Sequence, residues 1–176
     1  VVINSFRRGE PVINLAEVEE QDDEYLISKL LPKHRITLLF ADGAAGKSLF
    51  ADAVSLSLKT GLALPNGLQP TITANSLYLD WETDPDEQRQ RLGWLCRGMG
   101  LKEVPAMYYM RMYQPLALEG ERIKREAARV NAQLVIVDRI AAAIQENIKE
   151  CDTSLRGFNA LRSMGDMTHL VIAHMS

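Results

Sequence analysis

An α/β fold, with a mostly parallel twisted sheet and helices on both faces, is what this sequence predicts. Three observations predict it. Apolar runs of strand length recur at 36–40, 76–82, 107–113, 134–137 and 169–173. Segments with helical spacing separate them, and such alternation calls for crossover connections and a parallel sheet covered on both sides. The run Leu134-Val135-Ile136-Val137 is apolar at every position, as suits a strand buried on both faces.

Composition bounds the reading. The 176 residues suit one domain, and 47% hydrophobic residues supply a sizeable core. Net charge is −3, spread along the chain, with no basic block that would by itself announce nucleic acid. The basic clusters Lys33-His34-Arg35 and 122–129 read as solvated surface. No apolar stretch approaches the ~20 residues of a membrane span, and no signal peptide is visible. Cys96 and Cys151 make no metal spacing and read as thiols in a reducing compartment, so a cytoplasmic location without a membrane partner is expected. The chain has no initiator Met and stops at Ser176 just after a strand pattern, which is expected of a piece of something longer.

Residues 1–28 hold short apolar pieces and an acidic run, and are expected to lie on the domain or link to another; 29–176 are expected to form the core, incomplete at its C-terminal end. Ile36-Thr37-Leu38-Leu39-Phe40 forms the first strand. It runs into Ala41-Asp42-Gly43-Ala44-Ala45-Gly46-Lys47-Ser48, and a helical pattern follows at Leu49, Phe50, Ala53 and Val54. Strand, small-residue loop and helix with Gly-Lys-Ser at the helix start is the context in which a phosphate-binding P-loop works. Small residues let the backbone N–H groups of 42–49 wrap an anion, and the helix N-terminus adds positive charge. Lys47 is expected to reach the β- and γ-phosphates, and the Ser48 hydroxyl to take a position on Mg²⁺. The cofactor-binding set is therefore Asp42, Gly43, Ala44, Ala45, Gly46, Lys47, Ser48 and Leu49.

Gly61 reads as the stop of that helix, and 62–75, with Pro65, Gly67 and Pro70, as loop. The second strand is 76–82. Asp84-Pro85-Asp86-Glu87 has the form of a capping box, and Leu92, Leu95 and Met99 are the expected apolar stripe of the helix it opens. A third strand at 107–113 precedes a short amphipathic helix marked by Ile123, Ala127 and Val130. The fourth strand ends in Asp138. A helix near 153–164 and a fifth strand ending at His174 complete the pattern.

Ligands of such sheets lie at the carboxyl ends of the strands, where four polar groups collect: the P-loop, Glu82, Asp138 and His174. Asp138 is delivered as a Mg²⁺-side aspartate should be, by a buried strand. Glu82 is the favoured carboxylate to polarise an attacking water; Asp80, two residues earlier on the same strand face, is the weaker candidate. His174 is placed to sense a γ-phosphate.

The segments from Phe40 to Ser48, Leu77 to Asp84, Leu134 to Ala143 and Val171 to Ser176 together resemble the RecA-like P-loop ATPases, closest to the RepA and DnaB-type hexameric helicase branch. The resemblance covers about 25–176. It implies a RecA-like core with ATP and Mg²⁺ held between subunits of a homo-oligomeric, hexameric ring, and single-stranded DNA as the partner in replication. Lys47, Glu82 and His174 would then be catalytic, Lys47 and Ser48 would hold phosphate and metal, and Asp138 would be the second metal residue. Two departures are Ala41 for the first glycine and Arg139 where many relatives carry Ser. The stretch from Ala141 to Cys151 corresponds to a pore-facing loop; with one lysine, Lys149, against Glu146 and Glu150, it is not expected to hold DNA by itself. A regulatory or scaffolding ATPase and a recombinase or defence-system ATPase of the same fold are the alternatives.

Overall fold

The structure, a computed structural model, describes residues 12–18, 22–144 and 151–174, and among these the side chains of all but 151–156 and 174. A small antiparallel pair, β1 (Tyr25–Ile27) and β2 (Leu31–Pro32), leads into the main sheet. The sheet is built from β3 (Ile36–Ala41), β4 (Asn75–Asp80), β5 (Tyr108–Arg111), β6 (Ala132–Asp138) and β7 (Thr168–His174). Its order is β3-β7-β6-β4-β5, and every neighbouring pair is parallel. The helices are α1 (Lys47–Thr60), α2 (Pro85–Gly98), α3 (Leu116–Arg129), α4 (Ile140–Ala143) and α5 (Cys151–Ser163).

Strand alternation divides the core in two. On β6, Leu134 and Ile136 join Ala51, Val54 and Leu58 of α1, together with Leu170 and Ile172 of β7. Val135 and Val137 point the other way, to Ile123 and Ala127 of α3 and Leu161 of α5. Both faces are thus covered, as the all-apolar fourth strand predicts. Leu26 and Ile27, which precede residue 29, are fully buried in the α1-side core, so β1 packs with the domain. Asp138 continues the Leu134, Ile136 series, so it faces the α1 side.

α1 carries small residues, Ala51, Ala53, Ser55 and Ser57, all buried, which let it lie close on the sheet. It stops where expected: Gly61 adopts φ +78°, and its N–H returns to Ser57 O at 2.8 Å. Asp84 caps α2 by accepting from the N–H groups of Asp86 (3.0 Å) and Glu87 (2.9 Å). The α2 stripe is as expected in part, with Leu92 buried and Leu95 packed partly buried against the α1-side core. Gln88, Leu92 and Cys96 are buried at i, i+4 spacing, and Met99 falls beyond the helix, which ends at Gly98. α3 is longer than expected, and α4 occupies the start of the stretch read as loop; 145–150 lie outside the described residues. No described helix is long and apolar enough to cross a membrane.

Candidate active site

The loop after β3 is shaped for an anion. Ala44 and Gly46 sit in the left-handed region, at φ +58° and +78°, turning the chain back on itself before α1 begins. No side chain caps α1, so the N–H groups of its first turn are left for a ligand. Residues 42–46 are exposed. A Cβ added at Gly43 or Gly46 would meet no protein atom within 4 Å. At Gly46 the left-handed backbone conformation favours glycine; at Gly43 neither conformation nor protein packing requires it. That cradle fits a phosphate chain.

Lys47 is 6% exposed, and its Nζ donates to Ala41 O (2.8 Å) and Asp42 O (2.6 Å). The two carbonyls fold the ammonium back across the mouth of the loop. Ser48 is half-buried on the first turn beside it.

Asp80 and Asp138 stand directly opposite each other on β4 and β6, both buried and on the same face. Like charges so placed repel, and the structure treats them differently. Asp80 Oδ1 accepts from the backbone N–H groups of Glu82 (2.8 Å) and Thr83 (3.0 Å), and Oδ2 from the Thr83 hydroxyl and from Tyr109 Oη (3.3 Å). Three of those donors are local and committed to Asp80; the Tyr109 proton is shared with Thr83 O at 3.1 Å. Among the described residues Asp138 takes one side-chain donor, Tyr78 Oη to Oδ2 at 2.6 Å. The weaker catalytic candidate, Asp80, is therefore a brace for the loop that carries Glu82.

That brace also corrects the second strand. β4 stops at Asp80, because the side chain takes the N–H groups that a continuing ladder would use. Glu82 lies in the loop beyond, half-exposed, and its Oε1 accepts from Arg139 Nη1 at 2.5 Å. Arg139 Nε has no hydrogen-bond partner among the described residues. The backbone joins the two strand ends as well, through Trp81 N–H to Asp138 O at 3.0 Å. The His174 backbone pairs in register with Ala41, so the end of β7 adjoins the P-loop; its side chain lies outside the described side chains.

Behind these residues is a polar cluster that sequence reasoning missed. Asp52 on α1 accepts from Gln88 Nε2 (2.5 Å) and Arg91 Nε (3.2 Å) of α2. Burial pushes its carboxyl up to about 7, partly offset by Arg91 and Gln88. The one signal in the sequence was a charge on a helix face otherwise made of Ala, Ser, Val and Leu. Asp52, Tyr78 and Gln88 also line a cavity of about 280 Å³.

Ser48 and Asp138 are hard oxygen donors of the kind Mg²⁺ takes. Among the described residues no group of three or more His, Cys, Asp or Glu could hold a metal unaided. Such a donor set suits an ion that is bound by one carboxylate and a substrate's phosphates.

Against known proteins, residues 5–176 match the family model described as AAA domain. The match supports a P-loop ATPase-type fold and does not select the RepA/DnaB branch. No curated protein matches the chain.

Proposed function

This chain belongs to the AAA domain family, and from that premise we propose that it is a Mg²⁺-dependent ATPase that works as a ring-forming motor on single-stranded DNA in replication. One observation carries the ATPase part: a glycine-containing loop, an uncapped helix start and a buried lysine follow β3, and a buried aspartate held by Tyr78 ends β6 in the same sheet. The DNA and ring parts rest on the resemblance of the strand-end segments to the RecA-like ATPases.

In this reading the N–H groups of 42–49 and the Lys47 ammonium bind the phosphates, and Lys47 stabilises charge that builds on the γ-phosphoryl oxygens. Ser48 and Asp138 would hold Mg²⁺, which supplies charge neutralisation at those oxygens. Glu82 orients the attacking water and receives its proton as the bond to the leaving ADP breaks. His174 senses the loss of phosphate. Arg139 holds Glu82 in the described geometry, and turnover requires that contact to loosen.

Single-turnover hydrolysis by the wild type and by Lys47→Ala tests the site: the variant loses turnover, and equal rates eliminate the assignment. Stimulation by single-stranded DNA tests the motor. The Arg139–Glu82 contact favours one second reading, a regulatory ATPase whose turnover waits on a partner. A partner protein that stimulates hydrolysis where DNA does not would select it.

A further inference from the structure

We propose that Tyr78 is the residue that positions Asp138 for its metal ion, holding one carboxylate oxygen so that the other is presented. The inference rests on the reading of Asp138 as a Mg²⁺ ligand.

Strand register delivers the contact. Tyr78 pairs with Ile136, and Asp80 with Asp138, so the tyrosine lies diagonally one pleat below the aspartate on the same face. A diagonal neighbour is about 7–8 Å away, within reach of an aromatic side chain. The phenol spans the gap and donates to Oδ2 at 2.6 Å; Tyr78 is 3% and Asp138 5% exposed.

The tyrosine has a single proton and two acidic neighbours, Asp52 and Asp138, both of which act on it electrostatically. Asp52 is supplied by Gln88 and Arg91, which leaves the phenol to Asp138. The ring is fixed by stacking on Tyr109, with centroids 6.3 Å apart and planes at 24°. Tyr109 Oη lies within reach of both Thr83 O (3.1 Å) and Asp80 Oδ2 (3.3 Å). Tyr78 thus serves Asp138 and, among the described residues, leaves its other oxygen free.

Ligating carboxylates are oriented by such partners, and losing one typically lowers metal affinity by about 10–100-fold. The test compares ADP binding with Mg²⁺ and with EDTA, in the full chain. Tyr78→Phe keeps the ring and removes the donor. Mg²⁺ affinity of the ADP-loaded variant should fall by about 10–100-fold, with metal-free ADP affinity unchanged. Unchanged Mg²⁺ affinity overturns the proposal, as does an equal loss with EDTA. In an Asp138→Asn background, Tyr78→Phe should have no further effect on Mg²⁺ affinity; a further loss would mean that it acts elsewhere. If Asp138→Asn alone leaves Mg²⁺ affinity intact, the metal assignment fails, and this inference with it. Should Tyr78→Phe not fold, the wild type supplies the readout: Mg²⁺ added to the ADP-loaded chain must shift the Tyr78 ring resonances in NMR, and unmoved resonances refute the role.

Discussion

Asp80 and Asp138 begin alike and end in different roles. Each closes a buried strand, each faces the α1 side, and they pair across β4 and β6. Asp80 is surrounded by donors from its own chain within three residues, with Tyr109 adding a fourth. Among the described residues Asp138 has only Tyr78 as a side-chain donor. A carboxylate saturated by its own loop is a structural part; one left with an unclaimed oxygen can take a cation. Position at a strand end does not separate the two, and the count of internal donors does.

The comparison can be broken at its outcome, the placement of Glu82. Glu82→Gln should keep nucleotide binding and lower turnover by about 10²–10⁴, the usual worth of a general base. Intact turnover would move the role to Asp80 or elsewhere. On the Asp80 side the effect should appear in stability. Asp80→Ala leaves two N–H groups and the Thr83 hydroxyl without their acceptor, while Tyr109 Oη keeps Thr83 O, and unfolding in urea should show a loss of about 3 kcal/mol. A neutral result would mean that the brace is dispensable.

Behind the pair, pH separates two buried groups by sign. The Asp52 carboxyl, ordinarily near 3.8, is pushed up to about 7 by burial. Between those values the folded state keeps a proton that the unfolded state has lost, so stability falls as pH rises, by at most about 1.4 kcal/mol per unit. His169 is the opposite case. Burial holds its ring down to about 4 from an ordinary 6.5, so the unfolded state binds the extra proton and stability rises with pH across that span. The two slopes oppose each other. Urea denaturation across this window should show a more rising profile in Asp52→Asn and a more falling one in His169→Gln, each relative to wild type. The same sign of change in both variants would contradict the assignment.

The smallest effect concerns Arg139. Its pair with Glu82 is more than a third exposed on both sides, so it is worth about 1 kcal/mol or less. Arg139→Ala should raise basal turnover by up to about fivefold, an advantage that fades with added salt. A drop would make Arg139 a contributor to catalysis.

Much of this site was legible because its signals are local. The P-loop is one continuous segment between a strand and a helix, and Asp138 follows four apolar residues on a strand covered on both faces. The boundary of β4 was not legible. Period-2 alternation carries Asp80 and Glu82 onto one face only if the strand continues, and whether Asp80 turns back on the next N–H groups depends on burial. Tyr78 carries no local signal of its role, because its partner is 60 residues away. Asp52 meets Arg91 across 39 residues, through the packing of α1 on α2. The β1–β2 pair and α4 were too short for any period to register. His174 was legible as a strand end, and its expected sensing role falls on a side chain outside the described ones.

The central claim is that nucleotide phosphates are gripped by the loop after β3. Amide NMR of the full chain on addition of Mg²⁺ and ADP tests it most directly. The account predicts that the N–H resonances of Gly43, Ala44, Ala45, Gly46, Lys47 and Ser48 move, while those of His34, Gly165 and His169 at the opposite end of the sheet stay in place. Silent P-loop amides, with binding registered elsewhere in the chain, would contradict it.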